Sequence, residues 1–156
     1  MKKMVERKIS YKFLDIINYA ICEAVNDFLD GKELEFFRKV GEHHLKEASE
    51  RNLLDLEIDD KPLDNLIKVA RYLESMGYME KISIKKLSES EAVIEMSGVS
   101  VTDSSVKMLK QGKHPSHYMT NLMQATLRTM NISAELRDMD YNAETGFFRE
   151  YWKILD

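Results

Sequence analysis

With 156 residues, 44% of them hydrophobic and 32% charged, the chain reads as a single globular domain, 1–156, able to bury roughly 70% of its unfolded surface; this composition excludes a disordered chain. A net charge of −4 lacks the basic footprint of a nucleic-acid binder. No apolar run approaches the roughly 20 residues of a membrane span, and the start lacks the apolar stretch of a signal peptide, so the expected location is the cytoplasm.

The basic amino end, MKKMVERKISYK, reads as a solvated terminus in preference to a polyanion or membrane contact. Residues 10–29 then carry Phe13, Ile17, Ala20, Ile21, Ala24 and Phe28 at helical spacing as one apolar stripe, with Ser10 as N-cap. The single cysteine, Cys22, lies inside this pattern. It cannot form an intrachain disulfide and reads as an inert buried thiol.

A second helix runs from Glu33 to about Asn52, with Leu34, Phe37, Gly41, His44, Leu45 and Ala48 inward. Glycine inside a helix costs about 1 kcal/mol relative to Ala, so Gly41 signals close packing against a neighbour. The stretch LLDLEIDDK is a short extended piece or a loop over the core. A third helix follows, capped by Asp60, with Pro62 in its first turn and Gly77 at its end.

The period then changes to two. MEKISIKKL and AVIEM form a hairpin, with Ile82 and Ile84 alternating outward lysines, and Ala92, Ile94 and Met96 on one face. Residues 97–113 hold a short strand or turn and then a mobile loop. The stretch QGKHPSHYMTNLMQATLRTM starts a helix at Pro115 or Ser116, striped by Met119, Leu122, Met123, Leu127 and Met130. A strand over ISAELRD, a turn over YNAETG and an aromatic strand, FFREYWKIL, close the chain. The expected fold is α+β: a four-stranded antiparallel sheet of two hairpins packed on about four helices, in the order ααα-ββ-α-ββ.

From about Phe36 to Ile154 the chain resembles the 4-vinyl-reductase-like domain, also called hydrocarbon-binding, whose fold the TRAPP transport subunits share. FFRKVGEHHLKEA, LIKVARYLESMGYMEKISIKKL and GKHPSHYMTNLMQATLRTMNISAELRDMD carry the resemblance. It implies an archaeal or bacterial domain that binds a small apolar or aromatic molecule. The sequence departs from the family at Leu45, where many members have a second glycine. It also lacks the family's cysteines, and His114, Pro115, Ser116 and His117 stand where relatives often place one.

His114 and His117 provide two nitrogen donors. A divalent metal wants three or four ligands, which Asp138 or Asp140 would have to complete. The alternative is a helix start, with Pro115 at its first position. His43 and His44 diverge by about 100° on a helix, too far apart to share one ion. No serine lies in a nucleophile motif, and no phosphate-binding loop is present. These absences argue against an enzyme.

Ten methionines are a high count, and methionine fills irregular space. Tyr118, Met119, Leu122, Met123, Phe148 and Trp152 are the expected lining of an apolar ligand pocket, with Met76, Met79, Met96 and Met108 able to converge on it; an ordinary filled core is the alternative. The expected function is non-catalytic binding of an apolar or aromatic molecule by a sensor, carrier or accessory protein without a cofactor, in a homodimer. The alternative is a homodimeric scaffold without ligand.

Overall fold

The structure is a computed structural model that describes residues 8–155; the basic stretch before them lies outside the described residues. Ser10 starts helix α1 (Tyr11–Phe28), its hydroxyl accepting the Lys12 N–H at 3.3 Å. Helices α2 (Glu33–Glu50) and α3 (Pro62–Ser75) follow. Pro62 occupies the first turn of α3, where a missing N–H costs nothing, but Asp60 does not cap it. The cap position is Lys61, and the Asp60 carboxylate binds Lys68 at 2.8 Å instead. Between α2 and α3 there is no strand; Leu54 and Leu56 lay the connection over the core. Gly77, at φ +76°, lets the chain leave α3 in a left-handed conformation.

Strands β1 (Lys81–Lys86) and β2 (Glu91–Ser97) form the first hairpin, with Ile82 opposite Met96 and Ile84 opposite Ile94. The stretch expected as a mobile loop contains a fifth helix, α4 (Thr102–Lys110). Its inward positions are Ser104 and Met108. The buried serine hides the apolar period: its hydroxyl donates to Val101 O at 3.0 Å and accepts from Asn18 at 2.8 Å.

Helix α5 (Tyr118–Thr129) begins later than expected, because Pro115 and Ser116 are buried ahead of it and His117 is the cap residue. Strands β3 (Ser133–Asn142) and β4 (Phe147–Leu155) complete an antiparallel sheet in the order β1-β2-β4-β3. The α+β class and the two paired hairpins agree with expectation; the order is ααα-ββ-αα-ββ.

The main core lies where α3 and α5 meet the sheet. Leu66, Val69, Ile94, Leu122, Leu127 and Trp152 are fully buried there, each aliphatic side chain worth about 1.5–3 kcal/mol against exposure. A second cluster joins α1, α2 and α4 through Cys22, Val25, Phe37 and Met108. The apolar stripe of α1 points outward: Cys22 and Val25 face in, while Phe13, Ile17, Ile21 and Phe28 are exposed. Among the described residues, no helix is long and apolar enough to cross a membrane.

Candidate functional site

Side chains alternate along β4, so Phe148, Glu150, Trp152 and Ile154 share one face. Phe148 lies opposite Met96, Glu150 opposite Ile94 and Trp152 opposite Ala92. This face meets α5, which places a carboxylate in an apolar layer. Glu150 is only 4% exposed. The Thr120 hydroxyl donates to its Oε1 at 3.1 Å, and the Trp152 indole N–H donates to its Oε2 at 2.9 Å. Burial raises the Glu150 pKa above the usual carboxylate range, and these two hydrogen bonds only partly oppose it.

On β3 a bulge between Arg137 and Met139 sets Asp138 at φ 45°. An extra residue in one strand shifts which side chains face the core. Past the bulge Met139 lies opposite Glu150, and Tyr141 stacks on Phe148 at 4.4 Å.

Glu150, Met139, Phe148 and Met96 form one wall of a cavity of about 80 Å³; Thr102, Ser105 and Leu109 of α4, with Tyr78, form another. Pro115, His117, Tyr118 and Met119 line it at the start of α5. His117 holds φ 43° and ψ 47°. Left-handed backbone is uncommon for a residue with a Cβ, and such strain persists only where surrounding contacts fix it. Burial lowers the His117 pKa, helped by the charge of His114, so the ring is held neutral and keeps a nitrogen lone pair.

Behind the cavity Tyr118 connects to a second polar group. Its hydroxyl hydrogen-bonds His44 Nδ1, and His44 Nε2 meets the Tyr72 hydroxyl at 2.7 Å. A neutral imidazole can donate to one phenol and accept from the other. Burial lowers the His44 pKa and pushes the Tyr118 pKa up to about 12.

The structure thus gathers Tyr118, Met119, Phe148 and His117 around one cavity. Leu122, Met123 and Trp152 are packed into the core behind it. Met108 belongs to the other cluster, and Met76 is exposed. His114 is exposed, its backbone tied to the Asn26 side chain at 3.1 and 3.2 Å. Among the described residues, no group of three or more histidine, cysteine or acidic side chains could hold a metal ion. Asp138 and Asp140 are exposed.

Sequence reasoning missed Glu150 and the pairing of His44 with Tyr118. Glu150 had a signal: it is the one charged residue on the alternate face Phe148, Glu150, Trp152, Ile154. The His44 pairing had none, since its partners lie 28 and 74 residues away.

No family model matches the chain, and no curated protein sequence matches it. Solved structures do. A point mutant of Tt H-NOX matches with TM-score 0.59 at 13% identity, covering 99% of this chain and 78% of that one. An Fe(II) unliganded H-NOX point mutant from K. algicida matches with TM-score 0.59 at 11% identity, covering 100% and 81%. An oxygen-binding H-NOX domain related to soluble guanylate cyclases matches with TM-score 0.56 at 16% identity, covering 98% and 76%.

The fold is H-NOX-like.

This finding corrects the resemblance to the 4-vinyl-reductase-like, hydrocarbon-binding domain. The three stretches that carried it contain helix and strand periods and a packing glycine, features that report local structure and close helix packing. The expectation of no cofactor is corrected by the same structures, described as Fe(II) and oxygen-binding proteins, with a further H-NOX structure described in terms of heme distortion.

Two spaces of this H-NOX-like chain each meet half of what a heme needs. The cavity at His117 has a neutral imidazole, the usual axial donor. Its 80 Å³ is far below the roughly 300–1,000 Å³ of ordinary ligand pockets. A larger open cleft of about 860 Å³ runs between the start of α1 and the sheet. It has no histidine or cysteine, and its charged lining is Asp15, Glu74, Glu80 and Asp103 against the single cation Lys12, a net negative wall that disfavours the carboxylates of a heme. With α4 in place, neither space fits a porphyrin.

Proposed function

We propose that the chain is one non-catalytic, ligand-binding sensor domain acting in the cytoplasm, and that its ligand seats against His117, Tyr118, Met119 and Phe148. The observation that carries this reading is His117, a neutral ring held in left-handed backbone at the wall of a mostly apolar cavity. Its lone pair is the natural contact for a ligand, and buried Glu150 supplies a second polar contact. At about 80 Å³ the cavity takes a molecule of a few heavy atoms, since one water occupies about 30 Å³. A larger ligand, a heme included, would need α4 to move off α5. The H-NOX neighbours support a heme as the first such ligand to try.

Hemin titration, followed by absorbance, and a thermal-shift series with small nitrogen- and oxygen-bearing ligands test this reading. We expect at least one ligand to stabilise the protein, by about 2.7 kcal/mol at a hundredfold excess over Kd, and His117→Ala to abolish the effect. A Soret band that disappears in His117→Ala would identify a heme. No stabilisation by any ligand, together with no hemin spectrum, would overturn the proposal.

A further inference from the structure

Glu150 is an ionisable group enclosed without a countercharge. Its side chain lies on the wall of the 80 Å³ cavity and the residue is 4% exposed. It makes no ion pair among the described residues, and no lysine or arginine lines the cavity. A buried carboxylate is costly unless a cation pairs with it, so the empty cavity favours the protonated form. Thr120 donates to Oε1 and Trp152 to Oε2. A carboxylate offers about four acceptor sites, so these two bonds leave about half of them for a ligand.

The rest of the lining has the same bias. His117 is held neutral and offers a lone pair. The Thr102 hydroxyl already donates to Val99 O at 2.8 Å, and the Tyr118 hydroxyl is paired with His44. Tyr78, Tyr118 and Phe148 bring aromatic rings, and Met96, Met119 and Met139 bring thioethers. Ring faces attract cations, and thioether sulfur is a weak acceptor. The lining is rich in acceptors and holds no cation of its own.

We propose that the ligand of this cavity is a small primary ammonium ion, from ammonium to ethylammonium in size, whose N–H groups donate to Glu150 and His117. The inference rests on the ligand-binding reading above and narrows it to one chemical class. A carboxylate ligand would meet Glu150 with like charge. A neutral alcohol would fill the space and leave the carboxylate without a countercharge. A quaternary ammonium has no N–H to donate and exceeds a space of 80 Å³, in which one water takes about 30 Å³. Where Glu150 is protonated in the empty cavity, the arriving ammonium keeps its protons and the carboxyl releases its own to solvent, which leaves an ion pair. The other titratable groups at the cavity are His117 and Tyr118 at the start of α5 and Tyr78 ahead of β1; α4, β2 and β3 present none there.

Thermal shift and calorimetric titration of the full chain at constant chloride test this, with ethylammonium, ethanol, acetate and tetramethylammonium as probes. We expect ethylammonium to bind at least about tenfold more tightly than ethanol, and acetate and tetramethylammonium to give no shift. Glu150→Gln should weaken ethylammonium binding by about 10- to 100-fold and leave ethanol unweakened. Far-ultraviolet circular dichroism checks that this variant is folded. Glu150→Asp, which keeps the charge and withdraws it by one methylene, should retain part of the preference for ethylammonium. Below the folded pKa of Glu150, titration in buffers of different ionisation enthalpy should show a proton released on ethylammonium binding, and none released in Glu150→Gln. Stabilisation by ethanol through His117 without stabilisation by ethylammonium would overturn the ammonium proposal and leave the ligand-binding reading standing. Ethylammonium binding unchanged in Glu150→Gln, or matched by tetramethylammonium, would overturn it as an effect of surface charge. No shift with any of the four probes would also overturn it, while the ligand-binding reading would fall only if the wider ligand series and hemin gave nothing as well.

Discussion

Trp152 donates its indole N–H to Glu150 Oε2 at 2.9 Å from two positions further along the same face of β4. The bond orients the largest side chain of the core and gives a buried carboxyl a partner. Burial nevertheless dominates, and the Glu150 pKa is raised. Below the ordinary carboxyl value both folded and unfolded chains are protonated, and the contribution to stability is fully present. Above it the unfolded chain releases its proton first, so stability falls as pH rises towards the folded value.

Glu150→Gln cannot ionise and keeps an acceptor for Trp152 or Thr120. Its melting temperature should gain on the native protein as pH rises from about 4.5. The gap should grow by about 2–4 °C for each kcal/mol and level off above the folded pKa. Thermal unfolding of both proteins from pH 4 to 8 measures it. A gap that does not change with pH would show that Glu150 is not perturbed.

His44 works in the opposite direction. Burial lowers its pKa, so its contribution is fully present above the ordinary histidine value. It is lost as pH falls from about 6.5 towards the lower folded value, because the unfolded chain takes up a proton first. His44→Gln should cost about 1–3 kcal/mol at pH 8, since the Tyr72 and Tyr118 hydroxyls lose well-placed partners. Denaturant titrations at pH 8 and pH 5.5 should show the difference from the native protein shrinking at the lower pH. A constant difference would mean that His44 titrates normally in the fold.

Cys22 is fully buried, and burial raises its thiol pKa against the lowering effect of Ser116. A protonated, enclosed thiol is a poor nucleophile. Reaction with a disulfide reagent should be at least about 100-fold slower in the native protein than in denaturant, limited by opening of α1. Native and denatured labelling rates similar to each other would place Cys22 at the surface.

Local periodicity made the hairpins and four of the five helices legible. Ile82, Ile84, Ile94 and Met96 alternate as expected, and Ser10 and Gly77 mark helix ends through backbone chemistry that acts within a few residues. Helix α4 was not legible, because Ser104 occupies a buried position by bonding Val101 and Asn18. The facing of α1 was not legible either. An apolar stripe records that a surface is to be covered, not which surface covers it. At the cavity, Tyr118, Met119 and Phe148 could be read from their periods, but Glu150 depends on contacts from α5 and His44 on partners in α3 and α5. The H-NOX-like fold itself was hidden because 11–16% identity preserves packing without preserving motifs.

Gly41 shows packing overriding propensity. It lies inside α2 and is buried against α5; a Cβ added there would meet the Asn121 carbonyl oxygen at 2.7 Å and its carbon at 2.8 Å. Gly41→Ala on an open helix face would stabilise by about 1 kcal/mol. Here the obstacle is backbone in the middle of α5, which cannot rotate aside as a side-chain tip can. The helices must separate by several tenths of an ångström, at a cost of about 1–3 kcal/mol for overpacking. Because α5 carries Thr120 on the cavity side, the shift should also loosen the Thr120–Glu150 bond. We expect Gly41→Ala to lower the denaturation midpoint with little change in slope, and Gly41→Val to lower it further. A midpoint for Gly41→Ala equal to or above that of the native protein would mean that α2 and α5 are not in the close contact described.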